Sequence, residues 1–273
     1  MNVKEAYNYS VSFLKANGVD EAENKALNAV CSVADISLGE FEFHKDDFVN
    51  MKRLADFLWR LKTGEPLQYI IGKWDFYESQ FNVGEGVLIP RPETEELVEL
   101  AVLYAKKLDK PVIYDLCSGS GCIGISIARA VKNSSVVCIE KSEEAYKYLV
   151  SNSDKDENVK CILGDINDDF DLPMADIIIS NPPYIKSSDI SSLQCEVLRE
   201  PVMALDGGND GLDFYRIIND KWCSHLKNGG KLFLEIGDEQ GEDIKKVLTS
   251  FENIMVKKDL FGNDRMVVAD KNR

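Results

Sequence analysis

Residues 112–121 read Val-Ile-Tyr-Asp-Leu-Cys-Ser-Gly-Ser-Gly, and this stretch decides the fold. Its apolar first half predicts a short buried strand, and its glycines predict a tight turn that leads into a helix over residues 122–132. The same alternation of strand and helix continues toward the C-terminus. Further strands are predicted at Val136–Glu140, Val159–Leu163, Asp176–Ser180 and Lys231–Ile236. Such alternation is typical of an α/β domain in which helices cover both faces of a parallel sheet.

The rest of the sequence divides the chain into three regions. Residues 1–72 hold three amphipathic stripes, the third running from Phe48 to Leu58, and they predict a small helical domain. Residues 73–92 predict a β-hairpin linker that ends in two glycines and two prolines. Residues 93–273 carry the α/β pattern. Within this last region we also expect a helix over residues 210–226 and a turn at Asn228-Gly229-Gly230.

The charge of the chain disfavours a phosphate-binding surface. Acidic residues number 47 and basic residues 32, which gives a net charge of −15. A protein that grips duplex DNA needs many lysines and arginines against phosphate. We therefore expect no direct contact with nucleic acid, and the charge fits a protein or small-molecule substrate.

Cysteine and histidine usage argues against two further kinds of site. The seven cysteines include no Cys-x-x-Cys pair, and His44 and His225 are the only histidines. This composition disfavours a disulfide framework and a zinc site, so no metal is expected. No apolar stretch reaches the roughly 18 residues of a membrane span, and the N-terminus lacks the apolar run of a signal peptide. We expect a cytoplasmic protein without membrane contact.

The turn at residues 115–121 predicts a cofactor site. Its glycines let the backbone approach a ligand closely, and Glu140, at the end of the next strand, can accept hydrogen bonds from both ribose hydroxyls. The spacing of Gly119, Gly121 and Gly124 suits a nicotinamide dinucleotide as well as S-adenosylmethionine. Asp115 would repel a pyrophosphate but help to hold a cationic amino acid group. From the turn alone both cofactors stay open, and so does a tight turn without a ligand.

A second acidic residue follows the third strand of the alternating region. Asp165 is placed to accept a hydrogen bond from the amino group of an adenine, with Ile166 against the ring. A single acid after a strand is also a common turn or helix-capping residue. The pair therefore supports a nucleoside cofactor only in combination with the turn at residues 115–121.

The tetrapeptide Asn181-Pro182-Pro183-Tyr184, directly after a predicted strand, indicates the chemistry. An amide or aromatic amino nitrogen is a poor nucleophile, and its two hydrogens lie in one plane. The Asn181 side chain and the Pro182 carbonyl offer two acceptors that can hold this plane, the prolines stiffen the loop, and Tyr184 can pack on the flat group. Catalysis would then depend on positioning and electrostatics. The pattern predicts methyl transfer to a planar nitrogen, with Asn181, Pro182 and Tyr184 as catalytic residues.

These motifs and several others resemble the peptide chain release factor N5-glutamine methyltransferases, the PrmC/HemK family. The resemblance covers nearly the whole chain. The Asn-Pro-Pro-Tyr motif is shared with adenine-methylating enzymes, whereas the other segments are more specific to this family. They are Gly64–Gly72, Val87–Glu95, Glu196–Pro201, Ala204–Leu212, Glu235–Gly237 and Asp259–Arg265.

The resemblance implies a seven-stranded, Rossmann-like class I methyltransferase domain after a helical, substrate-recognising domain. It implies S-adenosylmethionine as the methyl donor, S-adenosylhomocysteine as the product, and release factors as substrates, methylated at the glutamine of their Gly-Gly-Gln motif. A monomer is expected. Residues 181–184 would hold the glutamine. The cofactor would be lined by Asp115, Cys117, Ser118, Gly119, Ser120, Gly121, Glu140, Ile166 and Asn181, in addition to Asp165.

Three positions depart from the common forms of the family. Cys117 stands where glycine is usual, so its side chain can crowd the cofactor or demand a different turn. Glu140 replaces a common aspartate but keeps the acceptor, and Ile166 offers less stacking than an aromatic residue. Three rival interpretations remain from the residues: an adenine-N6-type nucleic-acid methyltransferase, a nicotinamide-dependent oxidoreductase, and a cofactor-binding interaction protein.

Overall fold

The structure, a computed structural model, describes residues 1–272 and divides into two compact units. The first unit comprises Met1–Lys73 together with Gln194–Arg199. The second comprises Trp74–Leu193 and the chain from Glu200 onward. Across the described residues, no helix combines the length and the apolar character that a membrane crossing requires.

The first unit is built from helices. Asn2 caps the first of them, since its side chain accepts a hydrogen bond from the Glu5 N–H while the Glu5 carboxylate accepts one from the Asn2 N–H. Asn50 caps the third helix in a similar way. The apolar faces of these helices are buried against one another. The helices are α1 (Val3–Ala16), α2 (Ala22–Ala34), α3 (Met51–Lys62) and α4 (Leu67–Ile71).

Two features of this unit differ from the sequence-based prediction. Phe48 was expected on the apolar face of the third helix, but α3 begins only after its Asn50 cap and Phe48 is 88% exposed. Helix α4 was not predicted, because its five residues are too few to show a helical period.

The segment Gln194–Arg199 belongs to the helical unit through side-chain contacts. The buried Lys25 ammonium forms an ion pair with Glu196. Arg199 donates a hydrogen bond to the Thr63 carbonyl at 2.9 Å. Glu196 and Arg199 both lie in one of the family-specific segments, and these contacts give them a structural role.

The second unit contains a two-stranded hairpin, β1 (Lys73–Phe76, beginning at the last residue of the first unit) and β2 (Ser79–Asn82), and a seven-stranded sheet. The order in the large sheet is β5-β4-β3-β6-β7-β9-β8. Neighbouring strands from β5 to β7 are parallel, whereas β9 runs antiparallel to both β7 and β8, so the sheet is mixed rather than wholly parallel. The strands are β3 (Val112–Leu116), β4 (Ser135–Glu140), β5 (Val159–Leu163), β6 (Ala175–Ser180), β7 (Leu226–Glu235), β8 (Phe251–Lys258) and β9 (Asp264–Lys271).

Helices cover this sheet and bury two apolar clusters against it. The helix predicted over residues 210–226 is shorter than expected: α8 ends at Asp220, and a separate 3₁₀ turn, Trp222–His225, follows. Proline at the first position of α5 suits a helix start, since its missing N–H would have had no partner there. The helices are α5 (Pro92–Ala105), α6 (Cys122–Ala130), α7 (Glu143–Asn152), α8 (Asp213–Asp220) and α9 (Gly241–Val247).

The predicted turn at Asn228-Gly229-Gly230 is wrong, because these residues lie inside β7. The pairing of β7 with β6 passes from Ala175–Leu226 directly to Ile177–Lys231, so four residues of β7, Lys227 to Gly230, lie opposite one residue of β6 and form an irregularity within the strand. Gly229, with φ of +79°, supplies the left-handed backbone that this bulge requires.

The strand order positions the ligand site. From β3 the chain proceeds to β4 and β5 on one side and to β6 and β7 on the other. In open α/β sheets, a crevice forms where the order reverses in this way, beyond the carboxyl ends of the strands. The crevice here lies between β3 and β6.

Candidate active site

A cavity of about 310 Å³ opens at the carboxyl ends of β3, β4 and β6, within the second unit. This volume is in the range of sites that hold small molecules. Among the predicted site residues, nine line the cavity and four do not. The nine are Cys117, Ser118, Gly119, Ser120, Glu140, Asp165, Ile166, Asn181 and Pro183; the four are Asp115, Gly121, Pro182 and Tyr184.

Asp115 lies beneath the cavity floor, at the end of β3, and is fully buried. Its Oδ2 accepts a hydrogen bond from the Gly124 N–H at 2.9 Å, and a side chain at Gly124 would collide with this carboxylate. Its Oδ1 has no partner within the described part of the chain. Burial raises the pKa of Asp115 to about 7. A buried acceptor without a partner fits a cationic ligand group better than it fits a phosphate.

Cys117 forms part of the cavity wall and has a left-handed backbone, with φ of +57°. The chain therefore keeps the turn for which glycine is better suited, at a cost of about 1–2 kcal/mol. Burial, with Glu140 and Asp115 nearby, raises the pKa of the thiol, so it is uncharged at neutral pH.

Gly119 and Gly121 have different roles in the same turn. The Gly119 N–H donates to Glu140 Oε2 at 2.7 Å. Gly121 lies outside the cavity lining and directly precedes α6, with φ of +81°. A Cβ atom at this position would lie 2.5 Å from Leu149 and 2.6 Å from Ile125. Gly121 thus permits close packing of α6 against α7.

Glu140 ends β4 and is 8% exposed. Its two oxygens accept hydrogen bonds from the Gly119 and Ser142 N–H groups, each at 2.7 Å. Burial raises the pKa of this carboxyl. Each oxygen keeps a second lone pair, so the side chain can still accept from a diol in the cavity.

Asp165 and Ile166 follow β5. Asp165 Oδ2 pairs with Lys141 at 2.7 Å, and its Oδ1 accepts from the Asn167 N–H at 2.9 Å. Asp165 is therefore both a turn residue and a cavity residue. Ile166 is 4% exposed, and its carbonyl accepts from the Trp222 indole N–H at 2.9 Å, which holds the apolar side chain against the cavity.

The Asn-Pro-Pro-Tyr tetrapeptide leaves the end of β6 as expected. Asn181 and Pro183 line the cavity, while Pro182 is buried behind them. The Asn181 amide NH2 donates to the Thr94 hydroxyl at 3.3 Å. The Thr94 hydroxyl in turn donates to Glu235 Oε2 at 2.5 Å.

Tyr184 is turned away from the cavity lining. Its hydroxyl donates to Glu235 Oε1 at 3.5 Å, and burial raises the pKa of the phenol. Glycines pack closely against both its backbone and its ring. A Cβ atom on Gly207 would lie 2.7 Å from the Tyr184 Cα, and one on Gly237 would lie 3.2 Å from the Tyr184 ring.

Residues that follow the tetrapeptide hold it in place. The Ile185 N–H donates to the Leu205 carbonyl at 3.0 Å, and the Gly207 N–H donates to the Ile185 carbonyl at 2.8 Å. These bonds form a bridge between the tetrapeptide and the family-specific segment from Ala204 to Leu212. The tetrapeptide is therefore fixed at both ends, by β6 and by this bridge.

Sequence reasoning assigned no role to four residues that form ion pairs or hydrogen bonds around the site. Glu200 is buried and forms an ion pair with Arg91 at 2.5 Å, while its other oxygen accepts from the Ile89 N–H at 3.0 Å. Thr94 and Glu235 connect to Asn181 as described above. All four lie in segments quoted for the resemblance, which was the only signal that could have identified them.

Among residues 1–272 no group of three or more histidine, cysteine, aspartate or glutamate side chains could hold a metal ion. All seven cysteines are unpaired thiols.

Solved structures with a similar fold are methyltransferases. The M. jannaschii TYW2 in complex with AdoMet superposes with a TM-score of 0.50 over 73% of this chain and 84% of that chain, at 21% identity. The T. thermophilus 16S rRNA N2 G1207 methyltransferase RsmC superposes with a TM-score of 0.52 over 73% of this chain and 50% of that chain, at 15% identity. The second unit therefore has the fold of a class I methyltransferase, and the predicted fold class is confirmed.

Sequence relatives give the family. The model described as "PrmC N-terminal domain" matches residues 5–72, and that described as "Methyltransferase small domain" matches residues 98–210. A release factor glutamine methyltransferase of Thermodesulfovibrio yellowstonii is 44% identical, over 78% of this chain and 79% of the relative. That of Streptococcus pneumoniae is 36% identical over 92% of each chain. This chain belongs to the release factor glutamine methyltransferase family.

Proposed function

We propose that the protein transfers a methyl group from S-adenosylmethionine to the side-chain amide nitrogen of the glutamine in the Gly-Gly-Gln motif of peptide chain release factors. The observation that carries the proposal is the orientation of Asn181 at the cavity: its NH2 group is bonded to Thr94, so its carbonyl oxygen is left to accept from a substrate. The names of the relatives identify release factors as the substrates of those proteins.

The residues around the cavity suit the methyl donor. Asp115 Oδ1 would attract the cationic amino group, and Glu140 would accept from the ribose hydroxyls. Asp165 and Ile166 would contact the adenine, beside the turn at residues 117–120. When bound, S-adenosylmethionine supplies an electrophilic methyl group on a sulfonium.

The protein's own contribution to the reaction is positioning. Asn181 Oδ1 and the Pro182 carbonyl would accept the two amide hydrogens of the glutamine and fix the plane of its NH2 group. Held in this plane, the amide nitrogen would face the methyl carbon that the bound donor supplies, and S-adenosylhomocysteine would be the leaving group. N-Methylation makes this nitrogen strongly acidic, so its proton passes to water without a dedicated base.

The rest of the chain contributes to substrate choice in this proposal. Residues 1–72 would recognise the release factor, residues 73–92 would link the two parts, and residues 93–273 would carry out methyl transfer. The net charge of −15 supports a protein rather than a nucleic acid as the direct partner. We propose that the enzyme acts in the cytoplasm as a monomer.

Mass spectrometry of a release-factor digest tests the proposal. The chain is incubated with isotopically labelled S-adenosylmethionine and a bacterial release factor, and a factor with the motif glutamine replaced by alanine serves as the control. A labelled methyl group on that glutamine, absent from the control, is expected. Label in added DNA or RNA, or equal label on both factors, would contradict the substrate assignment.

A further inference from the structure

A chain of hydrogen bonds joins three separate elements behind the cavity. Glu235 lies at the end of β7, Thr94 in the first turn of α5, and Asn181 directly after β6. Glu235 and Thr94 are each 2% exposed. Glu235 lies outside the cavity lining, whereas the uncharged Thr94 contributes part of the cavity wall. Glu235 can therefore act on a ligand only through its hydrogen-bond partners, and the Thr94 hydroxyl is engaged by Glu235 and Asn181.

The directions of these bonds are set by the hydrogens available and by the ionised state of Glu235. Burial raises the pKa of Glu235 to about 7, so the carboxylate is ionised above that pH. The Thr94 hydroxyl then donates its one hydrogen to Glu235 Oε2 at 2.5 Å. The hydroxyl oxygen can then only accept, so the Asn181 group facing it at 3.3 Å must be the NH2. The Asn181 carbonyl oxygen is consequently directed away from Thr94, to the cavity side.

We propose that Glu235 and Thr94 are positioning residues that hold Asn181 with its carbonyl toward the substrate and thereby make the site selective for a group that presents N–H donors. This inference rests on the proposed function and adds the residues that set its selectivity for an amide. Without the hydroxyl at residue 94, the Asn181 amide can rotate by 180° about its last bond. The rotated amide would present NH2 to the substrate NH2, two donors facing each other.

Glu235 also holds the neighbouring part of the same loop. Its Oε1 accepts a hydrogen bond from the Tyr184 hydroxyl at 3.5 Å, while its Oε2 accepts one from the Thr94 hydroxyl. A single buried carboxylate therefore ties both ends of the Asn-Pro-Pro-Tyr tetrapeptide to β7. Glu235 of the Glu235–Gly237 segment and Thr94 of the Val87–Glu95 segment therefore both hold the tetrapeptide in place.

Substitutions at Thr94 test the inference. Thr94→Val keeps the side-chain shape and removes the hydroxyl, whereas Thr94→Ser keeps the hydroxyl. We expect Thr94→Val to lower kcat for release-factor methylation by about 10- to 100-fold, as loss of substrate orientation does, and Thr94→Ser to restore most of it. The KM for the release factor should stay within about threefold of wild type, since residues 1–72 supply most of the recognition in this proposal. The Kd for S-adenosylhomocysteine should also stay within about threefold, because its other contacts in the cavity are unchanged.

Thr249→Val provides a matched control. Thr249 accepts a hydrogen bond from the Asn219 NH2 at 3.4 Å, a similar pair on the side of α8, away from the cavity. This variant should keep wild-type kcat. Glu235→Gln is the second variant, in case Thr94→Val does not fold, and it too should lower kcat with little change in S-adenosylhomocysteine affinity.

The outcomes separate the two proposals. If the wild-type chain methylates release factor but Thr94→Val keeps full kcat, the positioning role alone is overturned. The same holds if Thr94→Ser is as impaired as Thr94→Val. A wild-type chain that binds S-adenosylhomocysteine but never methylates release factor defeats the proposed function instead.

Discussion

Asn181 supplies the one side-chain carbonyl in the tetrapeptide, and its removal is the simplest test of its role. Asn181→Ala deletes that acceptor and leaves the turn at residues 117–120 and Glu140 in place. We expect kcat for release-factor methylation to fall by about 100-fold or more, with S-adenosylhomocysteine affinity changed by less than about threefold. Calorimetric titration and methylation kinetics measure the two quantities. Near-normal turnover would show that Asn181 does not orient the substrate.

Cys117 holds a left-handed backbone in the turn beside the cavity. Because φ is +57° there, a β-branched residue is strongly disfavoured. We expect Cys117→Val to lower the free energy of unfolding by about 1–2 kcal/mol or more. Cys117→Gly should stay within about 1 kcal/mol of wild type, because the relief of backbone strain is offset by the greater freedom of glycine in the unfolded chain. Chemical denaturation measures both.

A control for Cys117 is available in the same unit. Cys223 lies in the Trp222–His225 turn, and its φ is not positive. Cys223→Val should therefore cost less than Cys117→Val. Equal losses at the two positions would mean that backbone strain at Cys117 is not the cause.

At the scale of elements, the loop after β6 depends on glycines in a distant segment. Gly207→Ala would place a Cβ atom 2.7 Å from the Tyr184 Cα and 2.8 Å from the Pro183 carbonyl oxygen. Both contacts are to backbone, so the tetrapeptide must move. We expect kcat to fall by about 100-fold, as a displacement near 1 Å does, in methylation assays at saturating S-adenosylmethionine.

Gly39→Ala serves as the control for this substitution. No heavy atom lies within 4 Å of a Cβ built at Gly39, and its φ is not positive. Wild-type activity is expected. An active Gly207→Ala enzyme would indicate that the loop tolerates displacement and that its bridge to residues 205–207 is not needed for catalysis.

Apolar patterning predicted the bounds of some strands correctly, but turn-forming residues inside β7 led to a wrong prediction. Strands β3 and β5 begin and end where their apolar runs do, because both ends are marked by turn residues. The sequence Asn228-Gly229-Gly230 has turn chemistry, yet parallel pairing to β6 absorbs it as a bulge. Local propensity cannot show this, since the deciding interaction comes from another strand.

At the scale of the whole molecule, the site is assembled from residues far apart in sequence. Thr94 and Glu235 are 141 positions apart, and Asn181 and Thr94 are 87 apart. The chemistry of the Asn181–Tyr184 tetrapeptide could be deduced from residue types alone, because the acceptors are within the motif. The residues that orient it could not, because only the fold brings their side chains together.

Buried carboxyl groups make the stability of the molecule depend on pH. The pKa of Asp115 is raised from its ordinary value of 3.8 to about 7, mainly by burial. Between these values the folded state binds the proton that the unfolded state releases, so this contribution to stability is complete below pH 3.8 and is lost as pH rises through 7.

The variant Asp115→Asn isolates this effect. The quantity to follow is the free energy of unfolding of wild type minus that of the variant. It should decrease between pH 5 and pH 7 by up to about 1.4 kcal/mol per pH unit, and it should level off above about pH 8. Denaturant titrations at several pH values measure it. A difference that stays constant with pH would mean that Asp115 is ionised in the folded protein throughout.

A crystal structure with S-adenosylhomocysteine and a release factor bound together would measure the central geometry directly. The account predicts the glutamine amide nitrogen within about 3 Å of both Asn181 Oδ1 and the Pro182 carbonyl oxygen, facing the sulfur of the cofactor product. A glutamine bound elsewhere, or a sulfur directed away from residues 181–184, would contradict it.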